Sequence, residues 1–113
     1  MLERFTEEKL NHIINDYLSR LMNKVHIDKV ILFGSYANGT ATELSDIDVL
    51  IISKDLSDNT PKGKNGFYLD RLVGKFNPSL EVIAVNPKQL EDPVQKGFFD
   101  EIISSGKVIY SVA

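Results

Sequence analysis

Residues 34–48 read Gly34-Ser35-Tyr36-Ala37-Asn38-Gly39-Thr40-Ala41-Thr42-Glu43-Leu44-Ser45-Asp46-Ile47-Asp48. They stand between two apolar runs, Lys29-Val30-Ile31-Leu32-Phe33 and Val49-Leu50-Ile51-Ile52. A turn of small residues follows one strand, and two acids head the next. In extended chain, alternate side chains share a face, so Asp46 and Asp48 project together and Ile47 points away. Two carboxylates held that close repel unless a cation lies between them, and hard oxygen ligands favour Mg²⁺ or Mn²⁺. The Gly34-Ser35 turn can offer backbone N–H groups and a hydroxyl to a phosphate. Metal ligands beside a phosphate cradle make a site.

Outward from this stretch, Leu10, Ile13, Ile14, Tyr17, Leu18, Leu21, Met22 and Val25 recur at helical spacing, with Thr6 as cap and Glu7 and Glu8 in the first turn. Residues 29–33 suit a buried strand, 35–39 a short helix and 46–53 a second strand. The stretch from Lys54 to Gly66 carries Asp, Asn, Ser, Pro and Gly signals of a solvated loop. Leu69, Leu72, Val73 and Phe76 predict a helix, stopped by Asn77-Pro78-Ser79. Leu80–Val85 is a third strand, and Pro87 opens a helical turn. Phe98, Phe99, Ile102 and Ile103 predict a last helix, with Gly106 as a left-handed cap and Val108-Ile109-Tyr110 as a small edge strand.

The chain has 113 residues, 42% hydrophobic and 26% charged, with a formal net charge of −3 and no cysteine. That size and composition predict one globular domain over residues 1–113, and the alternation of helix and strand predicts an α/β architecture. A negative net charge argues against a broad nucleic-acid footprint. Without cysteine there is neither a disulfide framework nor thiolate chemistry. The charged start, Met1-Leu2-Glu3-Arg4, lacks the apolar core of a signal peptide, and no apolar run reaches the length of a membrane span, so a cytoplasmic location is expected.

The Gly-Ser turn with Ser-Asp-Ile-Asp on the following strand resembles the signature of the DNA polymerase β nucleotidyltransferase superfamily, nearest to its shortest branch, the minimal nucleotidyltransferases. The resemblance is dense over residues 33–52 and fainter at 80–87 and 102–110. It implies a three-stranded mixed sheet, ordered 1-2-3 and backed by helices. It also implies a metal site of Asp46, Asp48 and a third acid on the neighbouring strand. Glu81 is the acid inside the Leu80–Val85 run and stands where the family carries its third ligand, usually as aspartate. Gly34 and Ser35 would hold the phosphates of a nucleoside triphosphate, ATP by resemblance, with Mg²⁺ or Mn²⁺ as cofactor.

This chain departs from the branch at two positions. Many members carry arginine two and four places after the motif glycine, where Tyr36 and Asn38 stand here. Both can reach a phosphate oxygen, but neither brings positive charge. Lys54, Lys62, Lys64 and Arg71 read as solvated, and His12 and His26 as surface residues without metal-ligand spacing.

Two functions follow. The first is an enzyme that moves a nucleoside monophosphate to a hydroxyl on a protein, an RNA end or a small molecule. In the branch it resembles, members often pair with a HEPN-type toxin and act as antitoxin by adenylylating it. The second is a catalytically weak binding module that docks onto a partner. Ending at Ala113 without the helical domain of larger relatives, the site would lack one wall. A second protein, or a second copy of this chain, is expected to close it at the surface flanking the Lys54–Gly66 loop and the Leu69–Phe76 helix.

Overall fold

Alternation along three strands builds a sheet with an apolar surface on both faces, and each face collects its own helices. The computed structural model describes residues 5–59, 64–74 and 77–112; the expected roles of Lys62 and Phe76 lie outside them. In chain order the elements are α1 (Glu7–Leu21), β1 (Lys29–Phe33), α2 (Ser35–Asn38), β2 (Ile47–Ile52), α3 (Lys64–Val73), β3 (Leu80–Val85), a 3₁₀ turn (Pro87–Glu91), α4 (Lys96–Ser105) and β4 (Lys107–Ser111). No helix among the described residues is long and apolar enough to cross a membrane.

Val30, Leu32, Ile47, Val49, Ile51 and Ala84 point to one face, where they pack with Leu10, Ile14, Tyr17 and Leu21 of α1 and Leu69 and Val73 of α3. Ile31, Leu50, Ile52 and Val85 point to the other, against Phe99 and Ile102 of α4. The first helix follows its predicted stripe. The Thr6 hydroxyl accepts from the Lys9 N–H at 3.1 Å, but α1 ends at Leu21 and Met22 is exposed. Tyr17 ties α1 to α3 by donating to Asp70 Oδ1 at 2.8 Å. Burial, then that hydrogen bond and the Asp70 charge, push the phenol's pKa up.

The sheet corrects the expected count of three strands: β1, β2 and β3 neighbour one another in that order, and the segment predicted as a small edge strand adds a fourth. It has four strands, in the order β3-β2-β1-β4. β1 is antiparallel to both β2 and β4, while β2 and β3 run parallel, so the sheet is mixed. The reason lies in α4: its return across the sheet delivers residues 107–111 to the free side of β1, where backbone groups would otherwise stay unpaired.

Two glycines were expected to act through turn conformation and act through space instead. Gly106 has φ −80° and ψ 176°, so it is no left-handed cap. A Cβ there would come within 2.6 Å of both the Ile102 carbonyl oxygen and Ile31 Cγ2. Gly66 lies in the first turn of α3, which starts at Lys64 inside the predicted loop; its Cβ would meet the Val82 carbonyl oxygen at 2.7 Å. The helix also stops at Val73, before the predicted Asn77-Pro78-Ser79 break, with Gly74 at φ 72°. Pro87 opens a helical turn as expected, with Asn86 and Gln89 forming a reciprocal cap.

Candidate active site

The site lies where β1 ends and β2 and β3 begin. Parallel pairing sets Asp48 beside Glu81 in register, and antiparallel pairing sets it beside Phe33. Residues in register across a sheet share a face, so Asp48 and Glu81 project together on the α4 side. Asp46, two residues before Asp48 and just ahead of the strand, stands exposed beside them.

Asp48 is half-buried, and its carboxyl pKa is pushed up from 3.8 to about 6. Burial is the largest cause. The negative charge of Glu81, a hydrogen bond with it, and the charge of Asp46 follow. Without a cation, the cheapest way to keep the two carboxyls adjacent is to share a proton. Among the described residues no three acidic, histidine or cysteine side chains already converge as a metal cage. Asp48 and Glu81 form a close pair, and Asp46 acts on it through charge. The carboxyls of Asp46, Asp48 and Glu81 make an all-oxygen donor set of the kind a hard divalent cation takes.

Gly34 caps the short helix α2 with φ 75° and ψ −156°, a region that side chains disfavour. A Cβ there would collide with the Asp48 carboxylate. Its carbonyl accepts from the Ala37 and Asn38 N–H groups, so the turn is tied down. The first N–H groups of any helix, here those of Ser35 and Tyr36, have no acceptor within it.

Tyr36 is turned away from the site. Its hydroxyl accepts from the Phe5 N–H at 3.0 Å, and its ring stacks on Phe5 at 6.2 Å between centroids. The Asn38 Oδ1 is taken by Thr40. The expected phosphate contact from Tyr36 is therefore corrected: its hydroxyl and ring find their partner in Phe5 at the core edge, away from the site. His12 and His26 are exposed as predicted, with His26 Nε2 at 2.9 Å from Asp28 Oδ1.

A groove of about 730 Å³ opens from the acids toward α3 and α4. Asp46 and Glu81 line its inner end, β3 is its floor, and Phe67 and Phe98 stand on its walls. The walls are held by the buried Asn65, whose amide donates to Ser57 O at 3.1 Å and Gln89 Oε1 at 3.2 Å. Sequence reasoning missed this groove because it read residues up to Gly66 as loop. The signal was present: Asn65, Leu69 and Val73 share one helical stripe, which leaves Phe67 outside it.

The family model described as polymerase beta, nucleotidyltransferase, matches residues 14–113. The chain belongs to that family. A relative in Methanocaldococcus jannaschii, named "Putative protein adenylyltransferase MJ1305", is 32% identical over 109 residues, covering 92% of this chain and 74% of the relative. It supports the minimal branch that the motif resembles. A crystal structure of "a putative nucleotidyltransferase from Sulfolobus solfataricus" shares the fold with TM-score 0.53 and 21% identity, covering 91% of this chain and 78% of the other. "Crystal structure of the toxin-antitoxin with AMP-PNP" shares it with TM-score 0.56 and 19% identity, covering 87% and 73%.

Proposed function

We propose that this nucleotidyltransferase is a cytoplasmic protein adenylyltransferase, which moves AMP from ATP onto a hydroxyl of a partner protein and silences a HEPN-type toxin by doing so. The observation that carries the reading is the Asp48–Glu81 pair, two carboxyls side by side in register with Asp46 next to them. Acids are costly to gather without a cation. The name of the relative supports AMP as the group transferred and protein as the acceptor. The fold neighbour that carries AMP-PNP in a toxin-antitoxin complex supports the context.

In this reading Asp46, Asp48 and Glu81 hold Mg²⁺ or Mn²⁺, and the Gly34-Ser35 turn receives the phosphates beyond the α-phosphorus. A divalent cation held by these residues would supply charge neutralisation in the transition state and acidify the acceptor hydroxyl. The hydroxyl oxygen bonds to the α-phosphorus, the bond from that phosphorus to the bridging oxygen breaks, pyrophosphate leaves, and the proton passes to water. The chain's own work is positioning. Since Tyr36 is turned away, the positive charge missing from positions 36 and 38 comes from the partner.

The test is direct. Purified protein is incubated with α-labelled ATP, GTP, CTP or UTP, with Mg²⁺, Mn²⁺ or chelator, and with or without a small all-helical protein encoded by a neighbouring reading frame. Label should pass covalently from ATP to that protein, only with a divalent cation. Transfer that persists in chelator, or in an Asp46→Asn variant, would overturn the reading.

A further inference from the structure

We infer that the groove beside β3 seats the acceptor, an extended and positively charged polypeptide segment whose hydroxyl-bearing side chain reaches past β3 to Glu81. The inference rests on the reading above for the place of the triphosphate, and adds where the second substrate lies and what it is made of.

Position comes first. Across the sheet the order is the Gly34-Ser35 turn after β1, Asp46 and Asp48 at β2, Glu81 at β3, and then the groove. The groove is lined by Asp46 and Glu81 at its inner end and by neither Gly34 nor Ser35. In an in-line displacement the nucleophile enters opposite the leaving group. With pyrophosphate on the turn side of the acids, the hydroxyl enters from the β3 side.

Charge selects the class. The described lining carries Asp46, Asp58, Asp70, Glu81 and Asp92 against Lys88, which already lies 3.6 Å from Asp58. Such a surface repels a nucleic-acid backbone and favours a cationic segment. The walls supply anchors: Phe67 is 72% exposed on α3, and Phe98 is 46% exposed on α4. Exposed aromatic rings beside a groove suit the anchor role that aromatic residues take at interface cores.

The floor dictates how the segment lies. Ser79 and Val85 turn their carbonyls to Ile47 and Ser53, so residues of the opposite parity, Leu80, Val82 and Ala84, turn theirs outward. Gly66 of α3 sits directly on the Val82 carbonyl. A fifth strand is blocked there, so the segment is held by its side chains.

Fluorescein-labelled peptides test this on the intact chain: one with a central tyrosine flanked by arginine and lysine, its aspartate and glutamate counterpart, and single-stranded oligouridylate. The basic peptide alone should raise anisotropy, and Phe67→Ala should weaken it about tenfold while Phe67→Trp retains it. A fluorescent ATP analogue should bind Phe67→Ala as it binds wild type, and circular dichroism should show the variant folded. Equal binding of the two peptides, no binding of the basic one, binding of the RNA in the groove, or an unchanged affinity in Phe67→Ala overturns the inference. So does loss of the ATP analogue in Phe67→Ala, which would put the nucleoside in the groove. Basic-peptide binding without AMP transfer would instead refute the chemistry and leave the groove assigned.

Discussion

Gly34 and Asp48 lie so close that no other residue fits at position 34 without displacing the carboxylate. The glycine of the motif thus makes room for the acid pair as well as forming the turn. It lets the end of β1 close over the head of β2, and it takes a backbone conformation open to glycine. A single residue couples the Gly34-Ser35 turn to the acid pair.

Gly34→Ala should therefore damage both. Backbone strain at this φ and ψ costs about 1–3 kcal/mol, and the collision with Asp48 adds to it. We expect a lower Tm by thermal denaturation, together with loss of AMP transfer in the labelled-ATP assay. A variant with wild-type transfer would separate the glycine from the site.

Asp46→Asn should leave the fold intact, because Asp46 is exposed ahead of β2 and makes no core contact. Transfer should fall on the order of 10²–10³-fold, the scale of losing one stabiliser of transition-state charge. Unchanged circular dichroism with lost turnover is the expected pair of readings.

Glu81→Gln should lower turnover more than nucleotide affinity, since Glu81 lies on the groove side of the acids, away from Gly34. Separate measurements of ATP-analogue binding and of transfer rate check this. Weakened ATP binding with normal turnover would move Glu81 to the triphosphate.

The metal-free protein should lose stability as pH rises through the Asp48 range. Its folded carboxyl titrates at about 6 against an ordinary 3.8, so the folded state favours the neutral form. That contribution is fully present below about 3.8 and is lost as pH passes about 6. In chelator, Tm should be higher at pH 5 than at pH 7.5, and Asp48→Asn should flatten the difference. Mg²⁺ at pH 7.5 should restore wild type and not the variant.

Tyr17→Phe removes the hydrogen bond to Asp70 that ties α1 to α3. The expected cost is about 1 kcal/mol in urea unfolding, with AMP transfer unchanged.

The sequence alone determined the elements that are local and periodic: the α1 stripe, the three strands at 29–33, 46–53 and 80–85, and the same-face placement of Asp46 and Asp48. Each depends on spacing within a few residues, and spacing is written in the chain. Glu81 was legible only through family resemblance, because its place beside Asp48 depends on the parallel register of β2 and β3. Register is a long-range pairing that no local pattern states. Tertiary structure decided the rest. It put β4 on the free side of β1, turned Tyr36 to Phe5, and gave Gly66 and Gly106 their roles through atoms more than ten residues away in sequence, Val82 and Ile31. A glycine that supplies a turn and a glycine that yields space look alike in a sequence, and only the neighbour brought against it by folding tells them apart.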